Sequence, residues 1–493
     1  MNQFLWINKR RKFIFIWVFA FISLGVYLYV SSWTYKLGFP LDDAWIHQTY
    51  ARNFSEDLRW SFFSGNISGG STGPLWGFLI SLFYFINLAP YVGTYFLGFL
   101  LLGGISVLGV QTYSWLLPNK KQKSFFMGCL LLFEWHLVWA AGSGMETLLF
   151  SVIALLVCGW LLQPRKQWFI LGLLAGVSIW VRPGGVTLLG PILFVLILRY
   201  NLYEILHKGT RVALGFLLPA GLYLLFNLQV TGDLLPNTFY AKQAEYAIAR
   251  SVPFLQRFLK LGVQPFVGAG IVLLPGFILF LSKAVKQKAW EKLAGPLWAI
   301  GYILLYVWKL PVTYQHGRYL IPTMSVFYIW GFAGFIDWIK WNSEDLFSRL
   351  MSRTWGIVLG VVTILFWGIG ARVYGRDVAF IETEMVRTAH WVRTETTQGD
   401  VIAAHDIGAL GYFTEREIVD LAGLVSPEVI PFIRDEKKIA HYLNEKKVDY
   451  LITFPFWYPE LVKGRNKIYT TKGTFAPSMS MENMAVFEWK SGE

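Results

Sequence analysis

Asp42 and Asp43 lie side by side in the stretch Phe39-Pro-Leu-Asp-Asp-Ala-Trp-Ile-His-Gln-Thr-Tyr-Ala-Arg-Asn-Phe54, just beyond the first long apolar run of the chain. Adjacent carboxylates at a membrane face repel each other and are costly to desolvate, so chemistry is the reading that accounts for both. A carboxylate raised by a like-charged neighbour and by partial burial is suited to taking a proton from a hydroxyl. The pair also offers oxygen ligands to a divalent cation, although two carboxylates are a sparse ligand set. A structural role competes with these. Pro40 stiffens the entry, a helix is expected from the pair to the region of Phe54, and either aspartate can cap its first turn. On that helix Asp43, His47 and Tyr50 share a face, with Arg52 and Asn53 one turn further on.

Further polar groups recur between later apolar runs. Ser143-Gly-Met-Glu-Thr147 sets Glu146 in a tight turn, either as a helix-start charge or as a second acid. Arg182-Pro-Gly-Gly185 cannot be continuous helix, so Arg182 sits at a span boundary, either snorkelling or functional. Gly232-Asp-Leu-Leu-Pro-Asn-Thr-Phe-Tyr-Ala-Lys242 gathers Asn237, Thr238, Tyr240 and Lys242 behind a turn. Tyr314-Gln-His-Gly-Arg-Tyr-Leu-Ile-Pro322 supplies His316 and Arg318. Guanidinium groups offer paired planar donors and lysine a point charge, both suited to phosphate. A carboxylate pair, a second acid and several cations beside apolar helices suit transfer of a group from a lipid-linked phosphate. The carboxylate deprotonates the acceptor, the cations stabilise the departing phosphate, and the helices hold the lipid chain.

The elements that must position these groups are membrane helices. The chain has 493 residues, 55% hydrophobic and only 15% charged, with a mean hydropathy of +0.45. That composition describes a polytopic helical membrane protein, and about eleven apolar runs between residues 13 and 373 have spanning length. Basic clusters place the amino terminus, Lys120–Lys123, Arg165-Lys166, Lys283–Lys288 and Lys340–Arg353 inside, provided that Gly73–Pro90 lies flat in the interface. Residues 32–91 then form one external loop with two juxtamembrane helices. The basic start followed by an apolar run is expected to be a retained signal anchor. The formal net charge of +13 is better matched to anionic lipid headgroups than to nucleic acid. Cys129 and Cys158 fall in apolar runs with no metal or redox spacing. The membrane module is expected over 1–373 and a small external α/β domain over 374–493. The latter shows strand-like Val401–Ala404, Ile418–Leu421 and Tyr450–Thr453 and a helix near 435–446.

The order of the motifs resembles the integral-membrane GT-C glycosyltransferases, in particular a bacterial branch that uses polyprenyl-phosphate sugars. Asp42-Asp-Ala-Trp-Ile46, Tyr50-Ala-Arg-Asn53, Gly70-Ser-Thr-Gly-Pro-Leu-Trp76 and Gly144-Met-Glu-Thr147 carry the likeness, with Arg182-Pro-Gly-Gly185, Leu235-Pro-Asn-Thr-Phe-Tyr-Ala-Lys242 and Arg318-Tyr-Leu-Ile-Pro322. Asp406-Ile-Gly-Ala409 and Asp420-Leu-Ala-Gly-Leu424 are similar to the branch's appended domain. Arabinofuranosyltransferases are among the similar proteins, with mannosyl- and aminoarabinosyltransferases further away. The resemblance implies an inverting transferase at the outer face of the bacterial cytoplasmic membrane, passing a sugar to an envelope glycan, lipid or protein. It implies Asp42 as general base, with Asp43 as its partner or a cation ligand. Lys242, Arg318, His316 and Arg182 are expected at the donor phosphate, and His47, Tyr50, Arg52, Glu146, Asn237 and Tyr240 around the substrates. The chain departs from the branch's usual form at His47, Gly73 and Gly185. Asp406 and Asp420 are expected to position acceptor or cap turns. The alternatives are a transporter or flippase of lipid-linked saccharides, which would carry charges at mid-membrane, and a polymerase or ligase, which would use a large late external loop. Only Glu134 and His136 interrupt an apolar run.

Overall fold

The computed structural model describes residues 2–63 and 66–489, so residues 490–493 of the expected final domain lie outside it. Among the described residues, five helices are long and apolar enough to cross a membrane: Arg10–Thr34, Tyr91–Leu116, Leu202–Thr231, Ala269–Lys286 and the apolar part of Leu346–Glu395. A sixth arises if Pro118–Leu132 and Trp135–Gly142, bent by 56° to each other, form one span. The bend has a local cause. Glu134 is the N-cap of the second half, accepting from the Leu137 amide at 2.8 Å while its other oxygen meets His136 Nδ1 at 2.7 Å. Shorter apolar helices, Thr147–Trp160, Trp168–Val181 and Pro183–Arg199, pack among these, the last two separated because Pro183 follows an extended Arg182 (φ −154°, ψ 139°). The chain is a multi-pass membrane protein.

The first loop folds back on the bundle. Asp42–Asp57 is a 16-residue helix whose cap position is Leu41, with no side-chain cap. It packs on Pro74–Phe85, whose 12 residues extend only about 18 Å, too short to cross a bilayer. Trp76 Nε1 donates to the Gly144 carbonyl at 2.8 Å. Gly144 has φ +73° and lies against Phe39 and Ala44, where a side chain would be strained and crowded, so glycine lets the Glu146 turn close onto the first loop.

The carboxy-terminal part is built on a five-stranded sheet. Ser61–Phe63 (β1) and Asn66–Ile67 (β2) form a separate antiparallel pair in the first loop; β3 (Val401–Ala404), β4 (Glu417–Asp420), β5 (Tyr450–Thr453), β6 (Lys467–Thr470) and β7 (Ala485–Glu488) follow in the order β4-β3-β5-β7-β6. The first three strands of that sheet are parallel and β7 and β6 antiparallel to their neighbours. The long helix reaches the sheet through a π-helical turn, Glu382–Val386. Buried Glu384 in this turn accepts from the Met484 amide at 2.9 Å, from Asn483 Nδ2 at 3.1 Å and from the Thr471 hydroxyl, fastening the β6–β7 edge to the membrane helix.

Candidate active site

A cavity of about 320 Å³ opens where the first loop, the Glu146 turn, the Arg182 break, helix Asn237–Glu245 and the Arg318 segment meet. Asp43, His47, Glu146, Arg182, Lys242 and Arg318 all line it. Six polar groups expected from sequence thus converge, although they are spread from residue 43 to residue 318.

Their centre is a residue the sequence reading passed over. Tyr319 lines the cavity, and its ring centroid lies 5.0 Å from the Arg318 guanidinium, 5.6 Å from that of Arg182 and 5.7 Å from Lys242 Nζ. Arg318 Nη2 also donates to the Tyr319 hydroxyl at 3.2 Å, and the ring stacks on Tyr306 at 5.5 Å. The position directly after Arg318 in the quoted motif was the available signal. Burial pushes the Tyr319 phenol up, but the Arg318 and Lys242 charges outweigh it and bring it below its ordinary value. Burial likewise disfavours the charged form of Lys242, and the attraction of Tyr319 and Asp43 outweighs that, holding the ammonium charged.

Asp43 faces this cluster. Its Oδ2 receives Arg318 Nη2 at 2.5 Å. Burial raises its carboxyl, yet the nearby Arg318 and Lys242 hold it at about 2. A second ionic cluster also lines the cavity. Glu146 Oε1 takes Arg182 Nε at 2.6 Å, its Oε2 lies 3.3 Å from His47 Nε2, and Arg182 Nη2 donates to Thr147 Oγ1 at 2.6 Å. Burial opposes the Glu146 charge, but Arg182 and His47 hold its carboxyl well below the usual range. Arg182 Nη1 and Arg318 Nε and Nη1 are buried without a hydrogen-bond partner. Two guanidinium groups therefore retain donors, the requirement for binding an anion.

Asp42 does not line the cavity. Its Oδ2 and Oδ1 accept from the amides of Gly408 at 2.7 Å and Ala409 at 2.8 Å. Capping does claim one of the two aspartates, but for the start of helix Gly408–Phe413 and not of its own helix. Successive helical residues point about 100° apart, so one carboxylate reaches the cavity while its neighbour reaches the carboxy-terminal domain. Gly408 permits the contact, since a Cβ there would stand 2.0 Å from the Asp42 carbonyl oxygen. Burial and the Asp406 carboxyl push the Asp42 carboxyl well above its ordinary value, and the two amides only partly offset them. Asp42 and Asp43 thus turn to different partners, the Gly408 and Ala409 amides for one and Arg318 for the other. Among the described residues no group of three His, Cys, Asp or Glu side chains is arranged to hold a metal.

Several other expected substrate contacts have different partners. The His316 ring pairs with Asp377 at 2.7 Å and is absent from the cavity wall, because the turn carrying it points its side chain the other way. The Tyr50 hydroxyl bonds Ser68 at 2.8 Å and the Gly70 amide at 2.7 Å, ordering the loop whose Gly70, Ser71 and Thr72 line the cavity. Arg52 donates to the Tyr412 carbonyl at 2.8 Å, gripping the helix that Asp42 caps. Asn237 Nδ2 meets the Leu424 carbonyl at 3.3 Å, tying the Lys242 helix to a cavity-lining loop. Tyr240 is 38% exposed on the outer side of that helix. Asp420 caps a turn, accepting from the Ala422, Leu424 and Val425 amides, and burial raises its carboxyl to about 6. Asp406 is held up by burial beside His405, with its Oδ2 unpartnered.

Comparison with solved structures identifies this architecture. ArnT from Cupriavidus metallidurans in the apo state superposes with a TM-score of 0.61 at 13% identity, covering 99% of this chain and 98% of that one. The same protein bound to undecaprenyl phosphate gives 0.60 at 12% identity, covering 96% and 97%. The apo oligosaccharyltransferase of Archaeoglobus fulgidus gives 0.58 at 10% identity, covering 90% of this chain and 69% of that one. The fold is GT-C. The GT-C likeness includes the carboxy-terminal sheet, since it covers nearly the whole chain. Residues 376–487 match a family model described as a domain of unknown function, DUF8728. No curated protein matches the sequence.

Proposed function

We propose that this protein is an inverting glycosyltransferase that moves a sugar from a polyprenyl-phosphate donor to an envelope glycan, lipid or protein at the outer face of the bacterial cytoplasmic membrane. The observation that carries the reading is the convergence of Arg182, Lys242 and Arg318 on Tyr319, with Asp43 alongside and guanidinium donors still unsatisfied. The undecaprenyl phosphate bound by ArnT supports a ligand of this class.

The acceptor hydroxyl attacks the anomeric carbon and gives its proton to Asp43. The bond from that carbon to the phosphate oxygen breaks, and its electron pair leaves with the polyprenyl phosphate. The departing group gains one negative charge, which Arg318, Lys242 and Arg182 offset. Asp43 held at about 2 by Arg318 is a weak base. Donor binding resolves this, because a phosphate that engages Arg318 and Lys242 withdraws the charges that depress the Asp43 carboxyl. The base is thereby strengthened only when donor is present, which disfavours proton transfer in an empty site. The role expected for Asp42 passes in this reading to Asp43, while Asp42 seats the outer domain. Apolar Val186, Leu305 and Leu310 on the cavity wall suit the first prenyl units.

The test supplies membranes containing the protein with a panel of labelled polyprenyl-phosphate sugars and native envelope acceptor. One donor should be consumed with inversion at the anomeric carbon, and Asp43→Asn should lose transfer by about 10²-fold or more. A panel in which no donor is consumed, or an Asp43→Asn protein with full transfer, overturns the proposal.

A further inference from the structure

Arg318 and Tyr319 are delivered to the cavity by an unusual piece of backbone. Between helix Trp290–Lys309 and helix Ile321–Trp338, three consecutive residues adopt left-handed φ: Gln315 at 53°, His316 at 59° and Gly317 at 66°. Only the glycine takes this conformation without cost, and each of the other two disfavours it by roughly tenfold in population. Gln315 is exposed, so burial of its side chain does not offset the strain. Something else must hold the turn, because residues forced into this region persist only where surrounding structure over-determines them.

His316 provides the hold. Its Nε2 lies 2.7 Å from Asp377 Oδ2, on the long helix that runs to the carboxy-terminal sheet. The same oxygen receives Trp139 Nε1 at 2.9 Å. The imidazole stands edge-on to Trp135 at 5.4 Å and to Trp139 at 5.3 Å, both from the helix that follows the Glu134 bend. Two residues later the chain has reversed, and Arg318 points into the cavity to meet Asp43.

We propose that His316 and Asp377 are positioning residues: their hydrogen bond, seated between Trp135 and Trp139, latches the left-handed turn that presents Arg318 and Tyr319 to the donor phosphate. This rests on the phosphate reading of the cavity. Neither residue touches the ligand. The latch stores the geometry that the exposed loop would otherwise relax, and it links the phosphate site to two membrane helices that contribute nothing else to it.

The test measures binding of undecaprenyl phosphate to the purified full-length protein as wild type, His316→Ala, His316→Gly and Asp377→Ala. His316→Ala and Asp377→Ala should bind about tenfold more weakly. His316→Gly also loses the latch but adopts the left-handed φ freely, so it should recover most of the affinity. A residue that acts only by packing its ring between the tryptophans predicts equal loss for alanine and glycine, and that result overturns the positioning role. Wild-type affinity in both alanine variants overturns the latch while the phosphate reading stands. No binding by the wild-type protein removes the phosphate reading and the latch with it. If Asp377→Ala does not yield folded protein, the alanine–glycine contrast at His316 decides alone.

Discussion

Asp42→Asn and Asp43→Asn differ by one position and should fail in different ways. In the Asp42→Asn protein the amide group can present only one oxygen to the Gly408 and Ala409 amides, so one N–H now faces an Nδ2 group in a buried place. Leaving such a donor unsatisfied costs about 1–3 kcal/mol, and the lost bond itself contributes about 1 kcal/mol. Together they weaken the seating of helix Gly408–Phe413 by roughly 2–4 kcal/mol. Arg52 and Asn237 still tie the carboxy-terminal domain to the loop and to the Lys242 helix, so the domain remains attached but looser. Asp43 loses little packing when replaced, because a third of its side chain is exposed to the cavity. Thermal unfolding of the purified proteins, read beside donor consumption, separates the two. Asp42→Asn should melt several degrees lower and retain measurable transfer, whereas Asp43→Asn, which also removes the carboxylate paired with buried Arg318, should lose transfer whatever its melting point. An Asp42→Asn protein that melts as wild type but transfers nothing refutes the division of labour.

Three further outcomes follow from the same geometry. Arg318→Ala should weaken undecaprenyl phosphate binding by about tenfold or more, the contribution of a charge-assisted hydrogen bond; unchanged affinity in equilibrium binding would remove Arg318 from the phosphate site. Glu146→Gln leaves the buried Arg182 guanidinium without its carboxylate, and breaking a buried pair costs about 3–5 kcal/mol, so denaturant unfolding should show a clear loss. His405 is raised above its ordinary value because Glu245, with which it pairs at 3.3 Å, outweighs its burial. A raised histidine contributes stability that is full below its unfolded value near 6.5 and is lost as pH climbs through the higher folded value. The melting difference between wild type and His405→Gln should therefore be largest at pH 6 and shrink in alkaline buffer to what the lost Tyr458 and Trp457 contacts leave; a difference that grows with pH has the wrong sign.

Much of the site was legible because its residues sit in short polar interruptions of apolar runs. Asp43, Glu146, Arg182, Lys242 and Arg318 were all read from such interruptions, and the structure brings them to one cavity. The helix after the first run, the short Pro74–Phe85 segment and the strands at Val401–Ala404 and Tyr450–Thr453 follow from patterning of the same local kind. Direction was harder to read. His316 and Arg318 are two apart in a polar segment, and only the left-handed turn sends one to Asp377 and the other to Asp43. Local patterning does not divide the work between Asp42 and Asp43, because the partner that distinguishes them is 366 positions away. Tyr319 was overlooked since aromatic residues are common throughout this chain, and its value lies in the three cations that surround it. Strands β6 and β7 carry weak alternation and are defined by pairing with each other and, for β7, with β5.

The contact between Asp42 and Gly408 also orders events during biosynthesis. The aspartate belongs to the loop that follows the first apolar helix, and the amides that engage it belong to a segment translated much later. A ribosome that stops short of residue 400 would release a product with its membrane helices in place and with Asp43, Lys242 and Arg318 all present, yet with Asp42 and Arg52 lacking the partners that seat the first loop against the carboxy-terminal part. Such a truncated product should be inserted and silent. Competence at the cavity would then be conferred late, once the carboxy-terminal sheet has folded against the first loop, so that an unfinished chain does not act.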